Sequence, residues 1–235
     1  MAANIRHSSE NSEFMTPQWV TDWSRYVMGG IDLDPASSVA ANRTVRAQRI
    51  FTKADNGLFM HWSNLDGSPS RVFLNPPGGY VDEAGREVIF KTKKRRGCKE
   101  TGACGLPPGH KHRGVESSAV FWWHKLMHEF TAGRVACAIF LGFSLEILQS
   151  AQTFIGNQPL DFPGSIPKQR IRFETEDENG VRVPGEQPTH GNIIDLVTAC
   201  PFKQGAFGPN LDDPRTDRFR ECFSQIGYVH VPRGY

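Results

Sequence analysis

The first hydrophobic positions of the chain recur at helical spacing. In TPQWVTDWSRYVM, which begins at Thr16, the apolar side chains that fall on one helical face are Trp19, Val20, Trp23 and Val27. Thr16 can cap this helix, and Pro17 suits its first turn. Gly29 and Gly30 would end it, because neither favours continuation of a helix.

Beyond this helix, short apolar runs alternate with helical patterns. IDLDPAS predicts a short buried strand that ends at Asp34 and Pro35, SSVAANRTVR a helix, and RIFT a brief strand. KADNGLFMHW predicts a polar turn followed by one apolar turn of helix, and RVFLNPP predicts the next strand. Strands that alternate with helices on short spacings indicate an α/β fold with a mainly parallel sheet.

Residues 80–116 interrupt this alternation. They are rich in charge, glycine and proline, and they predict an insertion or long loop. After them, SSAVFWWHKLMHEF predicts a helix capped by Ser117 or Ser118, RVACAIFLGF a strongly apolar strand, and SLEILQSAQTF another helix. The remainder alternates β-like pieces with turns, the pieces being RIRF, VRVP, IIDLVTACPF and YVHVP. We expect a flexible segment over residues 1–14 and a single domain over residues 15–235 with an insertion at about 80–116.

The composition is that of an ordinary globular protein. The chain has 235 residues, of which 38% are hydrophobic and 22% charged, and its formal net charge is +2. A charge so near neutrality gives no general argument for a nucleic-acid partner. No apolar run could span a bilayer, the N-terminus lacks the apolar core of a signal peptide, and the five cysteines form no regular framework. We therefore expect a cytoplasmic protein with no membrane partner.

Polar residues follow the predicted strands at positions where α/β proteins bind ligands. Asp34 ends IDLD, Asn75 follows RVFL, and Asp55 lies in a turn between them. Ligands of open α/β sheets bind beyond the carboxyl ends of the strands. Each residue also has a structural interpretation, since Asp-Pro can form a capping turn and Asp-Asn-Gly a tight turn. The three together favour a site at this edge of the sheet.

The run RVFLNPPGGY ends a strand in an unusual way. Pro76 and Pro77 cannot continue a paired strand, because neither has an N–H group. The amide oxygen of Asn75 and the carbonyl oxygen of Pro76 are two acceptors held close together, and an exocyclic amino group has two hydrogens to donate. Binding both hydrogens helps to draw the nitrogen lone pair out of an aromatic ring, so that it can attack an electrophilic methyl group. Orientation would supply much of the rate.

Four motifs occur in the order TPQW, DLDPAS, RIFTKADNGL with Trp62, and VFLNPPGG. This order resembles the phage-type DNA adenine-N6 methyltransferases, which use S-adenosylmethionine. The resemblance is close over residues 15–80 and looser through SSAVFWW, RVACAIFLGF, PGSIPKQRIRF and IIDLVTACPF. It implies a Rossmann-like methyltransferase sheet, double-stranded DNA as the partner, extrusion of the target adenine, and a phage or mobile-element origin in a bacterial host.

Other substrates remain open, because the NPP element is not confined to enzymes that act on DNA. Protein-glutamine methyltransferases and some RNA methyltransferases use it too. A nucleic-acid-binding module without activity, built on a methyltransferase fold, is a further alternative. The combination of four motifs at these separations favours adenine in DNA over each of them.

The resemblance also implies roles for particular residues. Asn75, Pro76 and Pro77 would hold the target amino group. The residues that it places beside the cofactor are Thr16, Pro17, Asp34, Pro35, Ala36, Asp55, Gly57 and Leu58. A helix N-terminus, such as that predicted at Thr16 and Pro17, suits the carboxylate of the cofactor, because its N–H groups are free.

The chain departs from the commonest family pattern at two places. Many adenine methyltransferases have an aromatic residue directly after the two prolines, where this chain has Gly78. Tyr80, two positions on, is the residue that we expect to stack on the target base instead. DLDPAS stands where a glycine-rich FxGxG loop is common, so cofactor binding follows from the resemblance and not from a glycine fingerprint.

The predicted insertion concentrates positive charge and metal-ligating side chains. The basic residues that would neutralise DNA phosphates are Lys91, Lys93, Lys94, Arg95, Arg96 and Lys99. Two thiols and two imidazoles, a complete tetrahedral set for Zn²⁺, are supplied by Cys98, Cys104, His110 and His112. Zinc would give a fold to a segment poor in apolar residues. The alternatives are a solvated basic loop, free thiols and solvent-exposed histidines.

Three adjacent aromatic residues, Phe121, Trp122 and Trp123, lie in the helix predicted after the insertion. They cannot all face the same side of a helix. Core packing is the expectation for most of them, and base stacking by one of them stays open.

Overall fold

A computed structural model describes the chain over residues 14–82, 115–152, 158–177, 181–185, 190–198 and 213–232. The predicted phosphate-binding residues between 91 and 99 lie outside these ranges. So do the predicted zinc ligands Cys98, Cys104, His110 and His112. Both predictions for the insertion therefore remain predictions.

The helices of the described ranges are α1 (Gln18–Met28), α2 (Val39–Val45), α3 (Ser118–Thr131), α4 (Ile147–Ser150) and α5 (Pro214–Phe223). The strands are β1 (Leu33–Asp34), β2 (Arg49–Ile50), β3 (Ser70–Leu74), β4 (Tyr80–Asp82), β5 (Val115–Ser117), β6 (Val135–Gly142), β7 (Gly164–Pro167), β8 (Glu174–Glu176), β9 (Arg182–Pro184), β10 (Ile193–Thr198) and β11 (Gly227–His230). Within those ranges, every helix is too short or too polar to cross a lipid bilayer.

Seven strands form one mixed sheet in the order β11-β7-β10-β6-β3-β1-β2. From β2 to β6 the neighbours run parallel, whereas β10 is antiparallel to β6 and β7, and β11 is antiparallel to β7. The fold is mixed α/β, partly parallel and compatible with a Rossmann-like fold. The prediction of a mainly parallel sheet is thus confirmed for one half only, because strands after β6 alternate in direction.

Helices cover both faces of this sheet. On one face α3 packs on the central strands, where the rings of Trp123 and Phe140 meet edge to face with centroids 5.0 Å apart. On the other face α1 and α5 contribute Val20 and Phe219 to a cluster that includes Phe73. Because both faces are covered, β3 and β6 are nearly continuous apolar runs. This double burial explains why the sequence pattern predicts these two strands well.

The start of α1 differs from the prediction. The N-cap residue is Pro17, and no side chain caps the helix. Thr16 does not cap α1, because its hydroxyl accepts a hydrogen bond from the side chain of Asn75. The end agrees with the prediction, since Gly29 adopts a left-handed conformation with φ 76° and its N–H bonds to the carbonyl of Arg25. The segment before α1 therefore belongs to the edge of the sheet that carries Asn75.

The segment KADNGLFMHW contains turns and no helix. Asn56 adopts a left-handed conformation with φ 52°, which interrupts any helical run. The indole N–H of Trp62 then donates to the carbonyl of Gly57 at 2.9 Å, which holds the turn closed. The predicted helical turn is wrong because the backbone hydrogen bonds here, such as those from Phe59 to Asn56 and from Met60 to Gly57, form separate turns that do not continue as a helix.

Two further predictions need correction in the second half of the chain, which also contains a helix and a strand that were not predicted. RIRF is not a strand, since the backbone N–H of Ile171 bonds to the side chain of Asn192 and the neighbouring strand begins at Glu174. SLEILQSAQTF yields only the short α4 in the described residues. Both α5 and β7 form where no helix or strand was predicted.

The two ends of the predicted insertion meet. Strands β4 and β5 pair antiparallel, so that Tyr80 faces Ser117 in the ladder. The N–H of Ser118 also bonds to the carbonyl of Gly79 at 3.0 Å. Residues 80–82 and 115–117 thus form a two-stranded ladder that begins shortly after the NPP elbow.

One buried carboxylate joins α3 to the turn before β3. The side chain of Glu129 is 1% exposed and forms ion pairs with Lys125 at 2.7 Å and with Arg134 at 2.6 Å. It also accepts a hydrogen bond from the backbone N–H of Trp62 at 3.1 Å. Burial acts to raise the pKa of Glu129, but the bonds from Arg134, Lys125 and Trp62 outweigh it and lower the pKa to about 2.

A second buried acid has no such support. Asp195 in β10 is fully buried, and neither of its carboxyl oxygens has a hydrogen-bond partner among the described residues. Burial raises the pKa of Asp195 well above its ordinary range. Its neighbour in β7 is Gly164, where a Cβ atom would collide with the carboxyl oxygen. Glycine at that position leaves room for the acid.

Candidate active site

The strand order reverses at β1, which lies between β2 and β3. The chain leaves β1 toward β2 on one side and then returns to form β3 on the other. Such a reversal opens a crevice at the carboxyl ends of the strands, where α/β proteins bind their ligands. Asp34 is the last residue of β1, and Asn75 directly follows β3. The structure therefore brings these two predicted site residues to one crevice.

A cavity of about 440 Å³ lies at this crevice. Its polar lining includes Thr16, Asp34 and Asn75. Phe143 and Phe173 contribute aromatic faces to the same cavity. We call it the Asn75 cavity.

A second cavity of about 350 Å³ adjoins the first. Its lining includes Leu58, Tyr80 and Trp122, which give it apolar and aromatic walls. We call it the Tyr80 cavity. The residues that line both cavities are Ala36, Ser37, Pro77 and Gly78. The strand-end loop of β1 and the NPP elbow thus form the wall between two neighbouring spaces.

The amide of Asn75 is held by its nitrogen. Its Nδ2 donates to Thr16 Oγ1 at 3.1 Å, and Thr16 is buried. The chain just before Thr16 is fixed in turn, because Met15 and Glu174 exchange two backbone hydrogen bonds of 2.7 and 2.9 Å. Among the described residues, the oxygen of the Asn75 amide accepts no hydrogen bond. It is therefore available to a donor that enters the cavity.

Asp34 is a buried acid in the same cavity. Its Oδ1 accepts a hydrogen bond from the backbone N–H of Ala36 at 3.2 Å. Burial raises the pKa of Asp34, and the hydrogen bonds from Ser37 and Ala36 lower it. Burial has the larger effect, so the pKa is about 6. No cationic side chain pairs with it among the described residues. A positively charged ligand would favour its carboxylate form, so this acid suits a cation.

The turn that contains Asp55 supports the Tyr80 cavity indirectly. Hydrogen bonds from the Thr52 hydroxyl at 2.7 Å and the Thr52 N–H at 2.8 Å lower the pKa of Asp55, which is exposed. Asp55 lines neither cavity, whereas Gly57 and Leu58 line the Tyr80 cavity. A Cβ atom on Gly57 would collide with the carbonyl oxygen of Pro35, so glycine allows these two motifs to touch.

The aromatic residues near Asn75 differ from those predicted. Tyr80 lines the neighbouring cavity, while Phe143 and Phe173 share the cavity of Asn75. Phe173 could have been singled out as the aromatic residue that ends the basic run KQRIRF, but nothing in the pattern joins it to Asn75. Trp122 is buried and stacks on Trp62 at a centroid distance of 6.2 Å, so it supports a wall of the Tyr80 cavity.

The described residues contain no group of three or more His, Cys, Asp or Glu side chains that could hold a metal ion. A scan against models of protein families, a search of curated proteins and a search of solved structures found no match to this chain.

Proposed function

We propose that the protein is an S-adenosylmethionine-dependent methyltransferase that acts on the N6 amino group of adenine in DNA. The Asn75 amide carries this proposal, because Thr16 holds its nitrogen while its oxygen stays available at a cavity wall. Asn75 Oδ1 and the carbonyl oxygen of Pro76 would accept the two hydrogens of the amino group. Two acceptors placed together suit a group with two N–H donors, such as the exocyclic amino group of adenine.

The two adjoining cavities support a cofactor with a charged end and a planar end. S-adenosylmethionine, when bound, supplies an electrophilic methyl group on a positively charged sulfur. Asp34, a buried acid without a cationic partner in the described ranges, would hold the charged end. Leu58, Tyr80 and Trp122 would enclose the adenosine in the neighbouring cavity. Asp34 and Leu58 belong to the cofactor set that the resemblance implies, whereas Tyr80 and Trp122 do not.

The residues of this chain would act mainly by placing the reacting nitrogen. As the new N–C bond forms, the bond from the methyl group to the sulfur would break and leave its electron pair on the sulfur. The nitrogen would gain positive charge and afterwards release a proton to water. The oxygens of Asn75 and Pro76 would stabilise that charge through its N–H groups. Phe173 would offer a face on which the extruded base can stack. The wall shared by the two cavities would set the distance between the reactants.

A transfer assay separates this proposal from its rivals. The protein is incubated with methyl-labelled S-adenosylmethionine and with duplex DNA, RNA or a protein extract, and the labelled product is identified. Label in N6-methyladenine of DNA is the expected result. Label in RNA or in glutamine would assign a different substrate, and DNA binding without any transfer would favour a non-catalytic binding module.

Cofactor affinity is expected to rise with pH through the titration of Asp34. With a pKa of about 6, Asp34 is mostly protonated at pH 5 and mostly ionised at pH 7. If only the carboxylate pairs with the cationic end, the dissociation constant at pH 5 is about tenfold higher than at pH 7. Calorimetric titration at a series of pH values measures this. Asp34→Asn should remove the pH dependence and weaken binding throughout.

The matched control for Asp34 is Asp66→Asn, which alters an exposed carboxylate in a turn away from both cavities. Its titration curve should equal that of the unmodified protein. A pH dependence that survives in Asp34→Asn would show that another group binds the cationic end of the cofactor.

Phe173→Leu is expected to impair use of DNA and to spare the cofactor. Base stacking on an aromatic side chain contributes about 1–3 kcal/mol, so KM for DNA should rise about tenfold or more. Tyr80→Leu, in the neighbouring cavity, should instead raise the cofactor dissociation constant. Steady-state kinetics and cofactor binding on both variants measure the two effects. The reverse assignment would restore Tyr80 as the residue that stacks on the target base.

A further inference from the structure

The segment from Lys168 to Phe173 begins at the same edge of the sheet as Asn75. Strand β7 is antiparallel to β10, and β10 is antiparallel to β6, so β7 runs in the direction of β6 and β3. The carboxyl end of β7, at Pro167, therefore lies on the edge where β1 and β3 also end. The segment continues to Phe173, which lines the Asn75 cavity.

This segment presents a row of positive charge. We call Lys168, Arg170 and Arg172 the basic strip, and all three residues are exposed. Ile171, between the two arginines, is buried in the cluster that lies beneath α1 and α5. Because Ile171 is buried, the segment has a fixed orientation, and Arg170 and Arg172 on either side of it are exposed to solvent.

The backbone under the basic strip is anchored at several points. The N–H of Lys168 donates to the carbonyl of Ile226 at 2.8 Å, and the N–H of Ile171 donates to Asn192 Oδ1 at 2.8 Å. Asn192 is itself buried and donates to the carbonyl of Gly142 at 3.4 Å. A strip held in this way loses little conformational freedom when a partner binds. A solvated loop would not need such anchoring.

The charges of Lys168 and Arg172 are not balanced by the carboxylate that follows the basic strip. Glu174 forms an ion pair with Arg182 at 3.5 Å, on the adjoining strand. Lys168 and Arg172 make no ion pair in the part of the chain that the structure describes. Unbalanced basic side chains on a fixed surface attract a polyanion.

The spacing between the basic strip and the Asn75 cavity fits a nucleic-acid strand. Three strand spacings separate β3 from β7, where the strip begins at Lys168, which is about 14 Å at roughly 4.8 Å per step. At its other end, Arg172 precedes Phe173 in the cavity lining. One strand of duplex DNA rises about 3.4 Å per nucleotide, so this span corresponds to about four nucleotides. A strand with one base in the cavity would carry its nearby phosphates over the strip.

We propose that the basic strip binds the phosphate backbone of duplex DNA over about four nucleotides beside the base held at Asn75. The inference rests on the proposed function, and it adds a phosphate-binding surface distinct from the basic residues predicted in the insertion. Such contacts position the duplex and do not read its sequence. They would hold the backbone while one base leaves the stack.

The test measures the salt dependence of DNA binding by the full chain. Lys168→Gln and Arg172→Gln are made singly and together, and the dissociation constant for a duplex is measured over a range of salt concentrations. Each lost phosphate contact should reduce the slope of log affinity against log salt by about 0.9. Arg46→Gln is the matched control, because Arg46 is exposed at the opposite edge of the sheet, before β2 begins.

The outcomes separate the two proposals. Reduced slopes in the strip variants, with unchanged cofactor affinity and a normal Arg46→Gln control, support the phosphate contacts. Normal slopes in variants of a protein that methylates DNA would overturn the strip and leave the proposed function intact. If the unmodified protein neither binds nor methylates duplex DNA, both the strip and the proposed function are overturned. Both are also overturned if the strip residues contribute to binding of RNA and the protein methylates RNA.

Discussion

Asn75→Ala is expected to lower kcat for methyl transfer about 10³-fold while leaving cofactor affinity and fold unchanged. The substitution removes the amide oxygen that would accept a hydrogen of the target amino group. Loss of one positioned group that stabilises developing charge typically reduces the rate by about 10²–10³, and misplacement of the nitrogen adds to this. Single-turnover transfer of a labelled methyl group to duplex DNA measures the effect.

Removal of the hydrogen bond between Thr16 and Asn75 should have a smaller effect than Asn75→Ala. Thr16→Val keeps the shape of the side chain but removes the hydroxyl that holds Asn75 Nδ2 at 3.1 Å. We expect a fall in kcat of about tenfold, since orientation alone is lost, and Thr16→Ser should restore most of the rate. An increase in the cofactor dissociation constant instead would support the contact with the cofactor that the resemblance implies for Thr16.

Two controls test for a general loss of activity. Asn64→Ala removes an amide that lines neither cavity and bonds to Ser68 and to the carbonyl of Pro69, and it should leave transfer unchanged. A thermal melt of Asn75→Ala should show a change in stability of no more than about 1 kcal/mol, the value of one hydrogen bond. Full transfer by Asn75→Ala would refute the role of the NPP elbow.

The sequence pattern predicted well the strands that are buried on both faces of the sheet. Most of β6, and β3 from Val72 to Leu74, are apolar because both faces of the sheet are covered there. Helix α5 was not predicted, because charged residues separate its buried positions. These positions are Thr216, Phe219, Cys222 and Phe223. Asp213 as N-cap and Pro214 in the first turn are start signals that could have indicated it.

The candidate site was predictable in part for the same reason. Asp34 and Asn75 end predicted strands, and parallel strands bring their carboxyl ends to one edge. The bond between Thr16 and Asn75 joins residues 59 positions apart, and no local pattern encodes it. The division into two cavities, which separates Tyr80 from Asn75, depends on how the loops after β1 and β3 pack together.

Glu129→Gln is expected to lower the free energy of unfolding by about 3 kcal/mol at neutral pH. The pKa of Glu129 falls from its ordinary 4.5 to about 2 in the folded protein, and each unit corresponds to about 1.4 kcal/mol. The glutamine keeps an acceptor for the Trp62 N–H but leaves Lys125 and Arg134 without their shared anion. Denaturant unfolding of the two proteins measures the difference.

The pH dependence of stability identifies the cause. Because folding lowers the pKa of Glu129, its contribution is fully present above pH 4.5 and is lost as the pH falls toward 2. Glu129→Gln should lack this part of the acid dependence. Glu221→Gln is the control, because Glu221 is exposed and its side chain accepts a hydrogen bond from the Tyr26 hydroxyl alone among the described residues. Its effect should stay within about 0.5 kcal/mol. Equal stability of Glu129→Gln and the unmodified protein would contradict the prediction.

Glu129→Gln should also weaken ligand binding at the candidate site. Glu129 fixes the backbone of Trp62, whose indole donates to the carbonyl of Gly57 and stacks on Trp122. Gly57 and Trp122 line the Tyr80 cavity, so a looser Trp62 should weaken binding of a planar ligand there. We therefore expect Glu129→Gln to raise the cofactor dissociation constant at temperatures where the variant is still folded. Because Asn75 and Thr16 lie in the other cavity, single-turnover transfer at saturating cofactor should change much less.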